Sequence, residues 1–275
     1  VQLAQSSNAV TGDAVRRGRP AALALPGAVA GERPLTARSV LASTLLGAQP
    51  PELPVAHLIH VAGLFGVNEN RARVALSRMV SSGEAETDGA GRYRLAGHLL
   101  QRQERQLVSR AGRTRAWSGG WHMVVLTDVG SAAEVRGQRR RALSLARLAE
   151  LRQGVWLRPD NLPLALGAGL GAAEHFSTRP DGDPAALAAS LWDLAGWAGR
   201  AGSLLEALES LRPVGPEALA PGFVLSAAVL RHFQADPLLP EALLPAGWPG
   251  PELRARYDEW DVAYRRVLVE WTRAA

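Results

Sequence analysis

Residues 53–95, LPVAHLIHVAGLFGVNENRARVALSRMVSSGEAETDGAGRYRL, carry two apolar periodicities in succession. Val55, Leu58, Ile59 and Ala62 recur at helical spacing and predict a first helix, and Gly66-Val67-Asn68 supplies a tight turn. A second helix is predicted from Glu69 to Ser82, with Ala72, Ala75, Leu76 and Met79 on one side. At about 100° per residue, Asn70, Val74, Ser77, Arg78 and Ser81 fall on the opposite side, flanked by Arg71 and Arg73. Residues 84–87 and 93–95 are two short strand candidates. Asp88-Gly89-Ala90-Gly91 joins them, and its glycines accept the positive φ of a hairpin turn. Helix, turn, helix and hairpin in that order are the parts of a winged helix-turn-helix.

Such a unit places its second helix in a major groove, where arginine and asparagine meet base edges and further arginines meet phosphate. The residues expected to contact DNA are Asn68, Asn70, Arg71, Arg73, Val74, Ser77, Arg78 and Ser81, with Arg92 and Arg94 on the wing. The competing reading is a small helical core whose polar face is only solvated or binds another protein.

A chain of 275 residues is too long for that unit alone, because single cores commonly span ~100–200 residues. All 31 basic residues are arginine, and the net charge of +5 favours a polyanionic partner. Every phosphate contact must therefore come from guanidinium, hydroxyl or backbone groups. Cysteine is absent, which excludes disulfides, thiolate metal sites and cysteine nucleophiles and suits a reducing cytoplasm. No stretch approaches the ~20 apolar residues of a membrane helix.

The pattern predicts an α+β multidomain chain. Residues 1–34 read as a disordered, mildly basic tail, and 35–97 as the winged-helix DNA-binding domain, opening with a helix over Ala37, Val40, Leu41, Leu45 and Leu46. Residues 98–115 contain a polar connecting helix, and 116–182 a small α+β domain. There, residues 121–127 and 154–159 are strands and 132–151 a helix. Residues 183–275 form a helical C-terminal domain, interrupted by a loop with prolines at 237, 240, 245, 249 and 251. In the last helix, Leu253, Tyr257, Trp260, Tyr264, Val267 and Trp271 make a narrow seam suited to packing along another helix of the same chain.

With these segments in order, the chain resembles the PaaX-type transcriptional repressors, regulators of phenylacetate catabolism. The resemblance rests on Ala37-Arg38-Ser39-Val40, Gly66-Val67-Asn68-Glu69, Arg73-Val74-Ala75-Leu76-Ser77-Arg78, residues 121–127, residues 154–161, Leu191-Trp192-Asp193-Leu194, residues 236–245 and Trp248-Pro249-Gly250. It implies a ferredoxin-like central domain and a homodimeric repressor of double-stranded DNA, released by an aryl- or acyl-coenzyme A thioester. It requires no cofactor. Such an effector needs cations for its phosphates and an apolar slot for its acyl group. Arg136, Arg139, Arg140, Arg141 and Arg158 are candidates for the first, Trp156, Trp192 and Trp197 for the second.

Other chemistry finds little support. His57 and His60 share a helix face at i, i+3 but lack a third ligand nearby in sequence, so no metal site is expected. Gly167, Gly169 and Gly171 do not form a dinucleotide fingerprint, and no nucleophile elbow occurs. Two rivals to the repressor are carried forward. One is a metal-dependent ferredoxin-like nuclease related to CRISPR adaptation subunits, with Asp128 of two copies holding a divalent ion. The other is an effector-independent nucleoid or protein-binding winged-helix protein.

Overall fold

A computed structural model describes residues 35–127, 132–164, 166, 170 and 172–274. The expected tail, Asp128 and the glycines at 167, 169 and 171 lie outside the described residues. The fold is α+β: N-terminal helices with a small antiparallel sheet, a central four-stranded antiparallel sheet, and a helical C-terminal region.

The first helix, α1 (Ala37–Gly47), starts at a capping box in which Thr36 accepts from the Ser39 N–H and Ser39 Oγ accepts from the Thr36 N–H. A short strand β1 (Glu52–Pro54) leads into α2 (Val55–Gly63). Gly66, at φ 70°, turns the chain toward α3 (Glu69–Ser81), whose first turn is capped by Asn68 Oδ1 on the Arg71 N–H at 2.9 Å. The wing is β2 (Ala85–Thr87) and β3 (Arg92–Leu95). The strand order is β1-β3-β2, with Leu53 opposite Tyr93. Val40, Leu41, Leu45, Leu58, Leu76 and Met79 close the core beneath this sheet. β1 was not expected from sequence, since a three-residue strand containing a proline has no period to read.

The connecting helix α4 (Gly97–Ala111) is less solvated than its polar sequence suggests. Gln103 is buried and donates to the carbonyls of Leu46 and Ala48, which holds α4 to the end of α1.

The central sheet consists of β4 (Trp121–Leu126), β5 (Ala149–Arg152), β6 (Val155–Pro159) and β7 (Ala173–Thr178), in the order β5-β6-β4-β7 with every pair antiparallel. Helix α5 (Ala133–Leu145) follows β4. Alternation divides the sheet: Val124 and Trp156 face a core shared with Leu143 of α5, whereas Trp121 and Leu157 face the C-terminal region. The helix expected over 132–151 stops early. Arg147 takes φ 62° and Leu148 is buried, after which Ala149 pairs with Leu157 as an edge strand. Helix-favouring residues have here been overridden by sheet pairing.

The C-terminal region comprises α6 (Pro184–Leu191), α7 (Leu194–Ser210), α8 (Leu219–Gln234) and α9 (Gly250–Arg273). The seam of α9 is intramolecular: Leu253, Tyr257, Trp260 and Tyr264 pack with Leu204, Leu208, Leu225 and Phe233. Gly222 of α8 lets the Tyr264 ring approach, for an added Cβ would stand 2.5 Å from it. Among the described residues, no helix is long and apolar enough to cross a membrane.

Two charged groups hold these parts together. Arg254 of α9 binds the Asp236 carboxylate at 2.9 Å and the Ser109 carbonyl of α4 at 3.0 Å. Arg147, from the end of α5, donates to the Asp236 carbonyl and to Ser109 Oγ. Asp236 is 2 % exposed, so its removal leaves buried guanidinium charge uncompensated. Asp236→Asn is expected to cost about 3 kcal/mol of stability, measured by urea denaturation. An unchanged midpoint would show that the joint contributes little.

His232 stacks on Trp197 with ring centroids 4.2 Å apart. Burial pushes its pKa from 6.5 to about 4, with the Arg200 charge adding to the effect. The unfolded chain binds this proton more readily than the folded one between those values. The contribution is therefore complete above pH 6.5 and is lost as pH falls toward 4. At pH 5 the loss is about 2 kcal/mol, and His232→Phe should reduce the drop in melting temperature between pH 7 and pH 5. An identical drop in wild type and variant would refute this.

Candidate nucleic-acid interface

Helix α3 stands with Ala72, Leu76 and Met79 in the core, and all of Asn68, Asn70, Arg71, Arg73, Val74, Ser77, Arg78 and Ser81 are exposed. The helical period has thus sorted its residues as the sequence implied. Their states differ. Asn68 is occupied as the N-cap, Arg73 is paired with Glu69 at 2.7 Å, and Ser81 Oγ donates back to the Ser77 carbonyl at 3.0 Å. The guanidinium groups of Arg71 and Arg78 have no carboxylate partner among the described residues. Val74 is 44 % exposed in the middle of this face, an apolar group of the kind able to contact a thymine methyl. Asn70 and Ser77 add neutral donors and acceptors beside it.

The wing is electrostatically quieter. Arg92 is paired with Glu52 across β1 and β3, and Arg94 with Glu86 across β3 and β2. Both arginines are exposed, but their charge is locally compensated. The carboxylate partners lie on neighbouring strands, one of which was not read from sequence. Beneath the helix, Arg38 of α1 binds the buried Glu84, fixing α1 to the start of the wing and holding the Glu84 carboxyl below its usual range.

The residues expected to bind an effector do not all meet in one place. Arg140, Trp156 and Trp192 border one open cleft, together with Arg147 and Asp236. Arg140 is paired there with Glu150 at 2.9 Å, and Trp156 is 4 % exposed. Arg136 and Arg141 are exposed on α5, whereas Arg139 is buried. Arg158 is 3 % exposed and donates to the Ala146 carbonyl at 2.9 Å and the Pro159 carbonyl at 3.1 Å. Burial lowers its pKa to about 10. Asn161, next to it, donates to the Leu238 carbonyl at 2.7 Å. The strand motif 154–161 and the proline-rich string 236–245 therefore meet in a structural joint. Trp197 lies in the helical core between His232 and Trp248.

Sequence reading missed a different pair of arginines, Arg102 on α4 and Arg231 on α8, which border one cavity. They lie 129 positions apart on polar helix faces, so no local pattern announces them. Of the histidines weighed as metal ligands, His60 stacks on Trp271 at 3.7 Å and His57 borders that same cavity. Among the described residues, no group of three or more histidine, aspartate or glutamate side chains is arranged to hold a metal ion.

Comparison with known proteins completes the picture. A family model described as PaaX-like protein matches residues 36–99, the span from the α1 cap through the wing. No curated protein matches the chain. Among solved structures, the chain is similar to the uncharacterized protein Rv0674 from Mycobacterium tuberculosis. The two are 41 % identical, the match covers 86 % of this chain and 99 % of that one, and the TM-score is 0.69. The winged-helix match and the likeness over nearly the whole of a solved relative place the chain in the PaaX-like family.

Proposed function

We propose that the protein is a transcriptional regulator, not an enzyme, that binds double-stranded DNA through the outer face of α3. Membership of the PaaX-like family is consistent with such a role. The observation that carries the reading is the exposed face on which Arg71 and Arg78, free of carboxylates, flank Asn70, Val74 and Ser77. Arginine without an internal acid partner keeps its full charge for phosphate and its planar fork for guanine. Two copies in a homodimer would present two such helices to related half-sites on one face of the duplex. The strand order of the central sheet, with α5 between its first two strands, supports a ferredoxin-like reading of that unit. The family resemblance makes an aryl- or acyl-coenzyme A thioester the proposed effector, and release of a catabolic operon in the cytoplasm the proposed outcome. No observation among the described residues favours the nuclease rival.

Fluorescence anisotropy on a duplex selected from a random pool tests the reading. Arg78→Ala is expected to cost ~1–3 kcal/mol and to relax preference at one base position. Arg92→Ala is expected to cost under ~1 kcal/mol, because its release from Glu52 offsets part of any phosphate contact. Equal binding of selected and scrambled duplexes by the wild type would overturn the proposal, and a larger loss at Arg92 than at Arg78 would move the contact surface to the wing.

A further inference from the structure

A cavity of about 310 Å³ lies where the DNA-reading unit meets the C-terminal helices. Its walls come from α1, β1 and α2 on one side, α4 in the middle, and α8 and α9 on the other. The volume is at the lower end of the ~300–1,000 Å³ typical of small-molecule sites. Leu53, Val61, Phe223, Leu230 and Leu268 give it an apolar lining.

Its charge is one-sided. Arg102, Arg110, Arg231 and Arg265 border it, against the single carboxylate of Asp261. That carboxylate is already shared by Arg110 at 2.8 Å and Arg265 at 2.9 Å. Arg102 and Arg231 are exposed, and among the described residues no acid partner compensates either. Desolvation, then the like charge of Arg231, depresses the Arg102 guanidinium, with Arg105 and Arg38 adding to it. Two cations held close without a counter-charge are relieved by an anion placed between them. Gln106 also lines the cavity, is 9 % exposed, and its side-chain amide makes no hydrogen bond among the described residues, which leaves it available to a guest.

We infer that this cavity is a binding site for an organic anion with an apolar body, the anionic group held at the mouth by Arg102 and Arg231 and the body enclosed beside Gln106. A free carboxylic acid presents that chemistry, and so does a phosphate-bearing thioester taken whole, its acyl group the apolar body and its phosphates the anionic group. The binding claim is independent of DNA. Its regulatory consequence rests on the function proposed above. Arg265 ties α9 to the Gly47 carbonyl of α1 at 2.8 Å, and α1 and α2 pack directly on α3. A guest between α4 and α8 that favours a different seating of the DNA-reading helix lowers affinity for DNA by linkage.

Isothermal titration of the full chain with octanoate, 4-phenylbutyrate, octanoyl-coenzyme A and neutral 1-octanol tests the site. At least one anion should bind more tightly than 1-octanol. The double variant Arg102→Ala/Arg231→Ala should weaken it tenfold or more, and Ala227→Phe, which fills the cavity, should abolish it. Thermal melts confirm folding, and Arg231→Gln serves if the double variant does not fold. Binding of the free acids alone identifies a small carboxylate as the guest, and binding of the thioester alone identifies a phosphate-bearing one. Failure of every anion to bind, binding of 1-octanol as tight as any anion, or affinity within twofold of wild type in the arginine and cavity-filling variants overturns the assignment. Anisotropy on the selected duplex is measured in parallel. Ligand binding without DNA binding by the wild type would refute the regulator and leave the site standing.

Discussion

Asp236 is the point through which the three parts of the chain are held in one arrangement. Its carboxylate binds Arg254 of the last helix, its carbonyl accepts from Arg147 at the end of α5, and both arginines reach Ser109 of the connecting helix. A buried carboxylate facing buried guanidinium groups gains little net stability over an apolar joint of the same shape. Its value is that only one geometry satisfies it. Neighbouring contacts reinforce that geometry: Asn161, which accepts from Arg158, reaches the same loop from the central sheet, and Arg110 binds Asp258 and Asp261 from α4. The winged helix is thereby attached to the C-terminal helices through ion pairs and hydrogen bonds as well as apolar packing.

This manner of attachment bears on function. The apolar cores of the winged helix and of the helical region are largely separate, and the arginine-lined cavity occupies the seam between them. Polar joints respond to charge, whereas close-packed cores resist it. An anion is the guest proposed for the surplus of guanidinium groups along the seam, and α1 and α2 are the elements that connect the cavity to α3.

The helical parts of the fold were legible because their signals are local. Ala72, Leu76 and Met79 mark the buried side of α3, and Leu253, Tyr257, Trp260 and Tyr264 mark the seam of α9. The strands that were missed carry no such signal. β1 is three residues ending in proline, β5 is built from helix-favouring Ala149, Glu150, Leu151 and Arg152, β7 (Ala173–Thr178) was likewise not read, and each exists because an adjacent strand pairs with it. The same division runs through the candidate sites. The face of α3 is a property of one helix and could be read from it. The pairing of Arg92 with Glu52, the burial of Arg158 and the meeting of Arg102 with Arg231 depend on contacts between distant segments, and so lay beyond a reading of spacing.

The central claim is that the exposed face of α3 is the surface that meets DNA. Hydrogen exchange followed by mass spectrometry, with and without the selected duplex, addresses it on the intact chain. The account predicts that DNA-dependent protection is strongest in peptides spanning residues 68–82, with weaker protection over the wing at 85–95. Protection concentrated instead on the arginine-rich helix at 133–145, with residues 68–82 unchanged, would contradict it.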